Sequence, residues 1–111
     1  MTPNPFLAPR ERAILERAVI GIAGAGGLGS NCAAHLVRAG VRHLVIADFD
    51  TVAESNLNRQ FFFRDQIGRK KIDALRENLL RIDPDLTLDM HDCKLGDADF
   101  VPLFGACDLV A

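Results

Sequence analysis

The chain is 111 residues long, about the size of one small domain. Its 13 Lys and Arg against 15 Asp and Glu leave a net charge of −2, which supplies no basic field for nucleic acid. With 49% hydrophobic and 25% charged residues it can bury a core, and no apolar run approaches the ~20 residues of a membrane span.

Residues 1–17 read as an N-terminal arm and a helix. Pro9 suits a first helical turn, and Ile14 with Leu15 gives the helix a modest apolar face up to Arg17. Residues 18–111 read as a nucleotide-binding unit. Ala18-Val19-Ile20-Gly21-Ile22-Ala23 is a continuous apolar run, the mark of a strand buried on both faces. A glycine-rich turn then opens a second helix, from about Leu28 to Ala39, with Gly40 at the usual position just past its end.

Leu44-Val45-Ile46-Ala47 reads as a second buried strand ending in Asp48. Residues 49–68 lack a clean period and predict an irregular connection with short helical turns. Ile72, Leu75, Leu79 and Ile82 form a helical stripe, so a third helix runs from about Lys70 to Ile82 and stops at Asp83-Pro84. Leu86 to Met90 alternates as a third strand, nearer a sheet edge. Phe100, Val101, Leu103 and Phe104 suggest a short fourth helix, although Pro102 interrupts it, and Leu109-Val110-Ala111 opens a fourth strand.

This alternation predicts an α/β, Rossmann-like parallel sheet with flanking helices and strand order 3-2-1-4. A full doubly wound domain has more strands, so the expectation is the N-terminal portion of a larger one, incomplete at its C-terminus. Cys32, Cys93 and Cys107, three in number and without a C-x-x-C pair, argue against a disulfide framework or a local zinc site. They predict free thiols, and with no signal peptide before the first charges the chain reads as cytoplasmic.

Gly24-Ala25-Gly26-Gly27-Leu28-Gly29 satisfies G-x-G-x-x-G between a strand and a helix. Glycines there permit a tight turn and let backbone N–H groups approach a phosphate, with the helix N-terminus adding partial positive charge. Asp48, at the end of the next strand, is placed to accept from ribose hydroxyls. A nicotinamide- or flavin-dependent oxidoreductase would share this half.

The polar stretch from Asp48 to Gln60 separates the candidates. A dehydrogenase has no need of so many Asn, Arg and Gln residues beside its ribose acid. An enzyme that breaks a nucleotide phosphate bond does need them, because charge spreads over phosphoryl oxygens. Arg69-Lys70-Lys71 opens the third helix, where each exposed cation opposes the macrodipole by ~0.3–1 kcal/mol. A bound anion would make that placement favourable; a solvated basic cluster is the plainer alternative. Phe61-Phe62-Phe63 cannot all face one core, so one ring should meet another segment, subunit or partner, unless they form a local mini-core. His35, His43 and His91 show no ligand spacing and read as structural or surface residues.

Four blocks now stand in one order: Gly24-x-Gly26-Gly27-Leu28-Gly29-Ser30, Asp48-x-Asp50, Ser55-Asn56-Leu57-Asn58-Arg59-Gln60, and Ile67-Gly68-x-x-Lys71. In order and spacing they resemble the ubiquitin-activating-enzyme-like adenylyltransferases, the group of ThiF, MoeB and HesA. The resemblance covers about residues 18–84, and Asn4-Pro5-Phe6 with the wording of Gly24 to Asn31 is most similar to the short ThiF proteins of thiamine biosynthesis. It implies ATP-dependent adenylation of the C-terminal glycine carboxylate of a small β-grasp sulfur-carrier protein (ThiS type), with release of pyrophosphate. A MoeB-type molybdopterin carrier is the alternative. By motif position Gly24, Gly26, Gly27 and Gly29 would wrap the phosphates and Asp48 would hold the ribose. Asn56 and Arg59 would contact the phosphates, Lys71 would stabilise charge during attack, and Asp50 and Gln60 would support that geometry. Arg59 and Lys71 are thus the implied catalytic pair. The resemblance also implies a homodimer and Mg²⁺, whose Asp ligand is expected beyond residue 111. No nucleic-acid or membrane partner is expected.

Overall fold

The computed structural model describes residues 8–94 and 103–111. Helix α1 (Pro9–Arg17) has Pro9 in its first turn, where a missing N–H costs nothing. Its Leu15 packs against the core, close to the backbone of Gly40. The strands are β1 (Val19–Ala23), β2 (His43–Asp48), β3 (Thr87–Asp92) and β4 (Leu109–Val110), all parallel, in the order β3-β2-β1-β4. That is the predicted order. Helix α2 (Gly27–Ala39) joins β1 to β2, and helix α3 (Lys71–Ile82) leads into β3.

The apolar runs are buried on both faces because the sheet is covered on both. Ile20, Ile22, Leu44 and Ile46 meet Ala33, Val37, Leu75 and Leu79 of α2 and α3. On the other face Val45 and Ala47 pack against Phe104. That ring lies so close over β1 that a Cβ on Gly21 would sit 2.5 Å from Phe104 Cδ1. The glycine interrupting the first strand is therefore a seat for an aromatic ring. β3 stands at the edge, and its exposure alternates because Leu88 and Met90 face the core while Thr87 and Asp89 face outward.

Gly40 ends α2 at φ +123°, the left-handed conformation expected of a residue just past a helix. Of the expected fourth helix, Leu103 and Phe104 are helical, while Phe100 and Val101 lie outside the described residues, as does the expected arm over residues 1–7. Phe62 joins the core, and Phe61 meets Phe63 edge-on at 5.7 Å between ring centroids. The three rings divide: Phe62 lies in the main core, Phe61 packs partly buried against it, and Phe63 is 46% exposed beside Phe61. Cys32, Cys93 and Cys107 are free. Among the described residues no helix is long and apolar enough to cross a membrane.

β1 pairs with β2 on one side and β4 on the other, so chain order reverses at β1. Crevices of open α/β sheets form at the carboxyl ends of strands flanking such a reversal. Every site residue named from the sequence lies on segments leaving those ends.

Candidate nucleotide site

The loop between β1 and α2 is shaped by contacts that exclude side chains. Gly24 has φ +100°, where L side chains are strained. A Cβ on Gly29 would lie 1.9 Å from the Gly24 carbonyl oxygen, so the helix start packs directly on the turn. Gly26 is different: nothing lies within 4 Å of its missing Cβ. Two glycines fold the loop, and the third leaves its mouth open.

Gly26 caps α2 without a side-chain hydrogen bond, and the first turn holds no acidic residue. The leading N–H groups of a helix have no intrahelical partners. The side chain beside them is Arg59, whose Cγ, Cδ and Nε lie 3.8–3.9 Å from the missing Cβ of Gly27. A guanidinium stem over a positive helix end is unfavourable in isolation. An anion between the two satisfies both.

Asp48 ends β2 facing the same loop. Its Oδ2 accepts from the Ala25 N–H at 2.7 Å and its Oδ1 from the Asp50 N–H at 2.7 Å. The carboxylate therefore ties the glycine loop to the connection that follows it. It lines a cleft of about 270 Å³ with Ala23, Gly24, Phe49, Cys93 and Lys94. The Lys94 ammonium lies 5.8 Å above the Phe49 ring, within cation–π range.

Residues 49–70, which carry no sequence period, close on themselves. Val52 N–H donates to the Arg69 carbonyl at 2.8 Å, Gly68 N–H to Val52 at 2.8 Å, and Lys71 N–H to Asp50 at 2.9 Å. That closure carries Lys71 back to Asp50, two residues from Asp48. Lys71 is 6% exposed, and its Nζ lies 4.0 Å from Asp50 Oδ2.

The predicted basic cluster does not act as one. Arg69 pairs with Glu77 and Lys70 with Asp92, both pairs exposed, the second at the carboxyl end of β3 where Asp92 lies in register with Asp48. The carboxylates satisfy these two cations, which leaves Lys71 as the member turned to the site. Asn56 Oδ1 accepts from Ala53 N–H at 2.9 Å, closing the single turn Glu54–Asn56. Gln60 is buried, and its Oε1 has no hydrogen-bond partner among the described residues.

Four polar residues to which the sequence reading gave no role hold this connection in place, although Ser30 and Asn31 stand within its first motif. On the α2 side, Ser30 Oγ accepts from Phe61 N–H at 3.0 Å, and Asn31 Nδ2 donates to the carbonyls of Gly27 and Arg59, both at 2.6 Å. On the α3 side, the buried amides of Gln66 and Asn78 bond each other at 2.6 and 3.0 Å, and Asn78 also donates to Phe61 O at 2.9 Å. Asn78 had a sequence signal of its own, polarity between Leu75 and Leu79 on an otherwise apolar helix face, and Gln66 had none.

Geometry brings Gly24, Gly26, Gly27, Asp48 and Arg59 to one sheet edge, with Lys71 reaching it through Asp50. The open glycine mouth and unpaired helix end suit a phosphate chain, and Asp48 suits a ribose. Among the described residues no three His, Cys, Asp or Glu side chains gather as a metal site. Strand order and flanking helices together define a Rossmann-like α/β domain of the doubly wound class.

The chain belongs to the ThiF family, whose profile matches residues 4–111. Over 90 residues it is 40% identical to the molybdopterin-synthase adenylyltransferase of Escherichia coli, covering 80% of this chain and 36% of that enzyme. Over 76 residues it is 43% identical to ubiquitin-like modifier-activating enzyme 5 of Oryza sativa, covering 68% of this chain and 18% of the relative. Its structure is similar to E. coli tRNA N6-threonylcarbamoyladenosine dehydratase in complex with ATP, with TM-score 0.87 and 26% identity over 92% of this chain and 43% of that one. The chain thus spans well under half the length of each of these relatives.

Proposed function

We propose that this chain is the nucleotide-binding part of an ATP-dependent adenylyltransferase acting on the C-terminal glycine carboxylate of a small β-grasp carrier protein. The observation that carries the reading is the uncapped N-terminus of α2 with the Arg59 stem laid over it. Residues 1–17 serve as arm and helix, and residues 18–111 as the nucleotide-binding unit, in a cytoplasmic homodimer. A sulfur carrier of the thiamine (ThiS) type is the substrate the N-terminal wording favours. The E. coli relative favours a molybdopterin carrier of the same chemistry.

In this reading the N–H groups of the glycine loop and α2 hold the phosphates, while Asp48 accepts from the ribose hydroxyls. A carrier carboxylate oxygen bonds to the α-phosphorus, the bond to the β-phosphate bridging oxygen breaks, and pyrophosphate leaves. No proton moves, so the protein's task is orientation and charge neutralisation. Arg59 meets charge on the phosphate oxygens, and Lys71, held by Asp50, supplies a second cation. Asn56 fixes the turn that carries Arg59, and the buried Gln60 amide supports its end. Mg²⁺ would neutralise phosphate charge when bound; its ligand is expected beyond residue 111.

The test is calorimetric titration of the full-length polypeptide carrying this chain with ATP and, separately, NAD. ATP binding with no NAD binding is expected, and the reverse would make the protein an oxidoreductase. Adenylate formation across a panel of glycine-ended carriers then selects the partner.

A further inference from the structure

We propose that Asn31 is a positioning residue that couples the glycine loop to Arg59, an inference that rests on the adenylation reading above. The two amide hydrogens on Asn31 Nδ2 are both in use. One goes to Gly27 O, four residues back in α2, and the other crosses 28 positions to Arg59 O, each at 2.6 Å. One side chain therefore sets the spacing between the first helical turn and the backbone that carries the phosphate-side arginine. The next bond along does the same work: Ser30 Oγ accepts from Phe61 N–H at 3.0 Å.

Arg59 needs such an anchor. Among the described residues its guanidinium makes only long contacts with its own segment, Nη1 to Ser55 O at 3.3 Å and to Asn58 Oδ1 at 3.4 Å. These bonds do not fix the group relative to α2. The backbone bond from Asn31 does, and the missing Cβ of Gly27 gives the stem its path. A shift of this backbone would move the guanidinium while leaving the loop that binds nucleotide in place. Asn31 thus acts through Arg59, on turnover more than on nucleotide affinity.

The experiment compares wild type, Asn31→Ala, Asn31→Ser and Arg59→Ala, with both Asn31 changes repeated in the Arg59→Ala background, in the full-length polypeptide. Serine keeps a hydroxyl that can bond the carbonyl four residues back, and it is too short to serve Arg59 as well. It is the variant to read if alanine fails to fold. Carrier-dependent ATP–pyrophosphate exchange should lose about 10- to 100-fold in kcat, with KM for ATP changed less than about threefold. In the Arg59→Ala background the same substitutions should change kcat by less than about twofold, because the group they position is gone. Hydrogen–deuterium exchange at residues 59–61 should rise in Asn31→Ser.

Losses that multiply fully with Arg59→Ala, or a fall in thermal stability with kcat unchanged, would overturn the coupling. So would unchanged deuterium uptake at residues 59–61. A wild-type protein that neither binds ATP nor catalyses exchange fails differently. It sinks the adenylation reading, while the deuterium uptake still decides whether Asn31 holds that backbone.

Discussion

The Asp48 carboxylate accepts a 2.7 Å hydrogen bond from the backbone N–H of Ala25, so the end of β2 holds the glycine loop that leaves β1. The same group bonds Asp50 N–H, and through Asp50 it is linked to Lys71. One acid therefore shapes the loop, starts the next connection and faces the cleft.

Asp48→Asn should accordingly weaken ATP binding. A hydrogen bond to a charged group is worth ~1.5–3 kcal/mol, so affinity should fall roughly tenfold to a hundredfold. Titration calorimetry on the full-length polypeptide reads this directly. Unchanged affinity would remove Asp48 from the nucleotide site.

Two glycines of the loop should respond oppositely to alanine. Gly29→Ala places a Cβ 1.9 Å from Gly24 O and should disrupt folding of the loop. Gly26→Ala meets nothing within 4 Å, so its stability cost should stay below about 1 kcal/mol. Its methyl group would instead occupy the space assigned to phosphate. Thermal melting paired with ATP titration separates the two, and a Gly26→Ala protein with full affinity would contradict the assignment.

The central strands were readable as continuous apolar runs and α3 as a helical stripe, because each pattern follows from which faces are covered. Ile20 and Ile22 alternate with Gly21 on a sheet covered on both faces, and Ile72, Leu75 and Leu79 repeat along α3. The glycine loop and Asp48 were readable from local motif spacing. Residues 49–68 were readable only as an irregular connection with short helical turns, which the turns Glu54–Asn56 and Arg64–Gln66 bear out; its path was hidden, since bonds such as Gly68 to Val52 and Asn31 to Arg59 join distant positions and leave no period. The split of Arg69 and Lys70 from Lys71 was equally hidden. It depends on where Glu77 and Asp92 lie in three dimensions.

Gly21→Ala tests the packing of Phe104 over β1. The added Cβ would lie 2.5 Å from the ring and 3.1 Å from Cys107 Sγ, and overpacking of this kind costs ~1–3 kcal/mol. Denaturant unfolding should show that loss. A neutral result would mean that the Phe104 segment moves away freely.

The Cys107 thiol is pushed above its ordinary value of 9.0, chiefly by burial, with Asp108 and Asp89 adding to the effect. Its neutral form is thus favoured in the folded state. That contribution is complete below the unfolded value and is lost as pH rises through the folded one, so stability should decline in mildly alkaline solution. At pH 8, alkylation of Cys107 followed by peptide mass spectrometry should be slower in the folded protein than after denaturation. Equal rates would contradict the burial.

The most direct measurement is ATP–pyrophosphate exchange by the full-length polypeptide, with and without a glycine-ended carrier protein. Exchange should require the carrier. Arg59→Ala and Lys71→Ala should each reduce its rate by ~10²–10³, with a smaller effect on ATP affinity. A wild-type protein that binds ATP and carrier yet exchanges no pyrophosphate would contradict adenylation, and equal losses in binding and rate would reduce both cations to ground-state phosphate contacts.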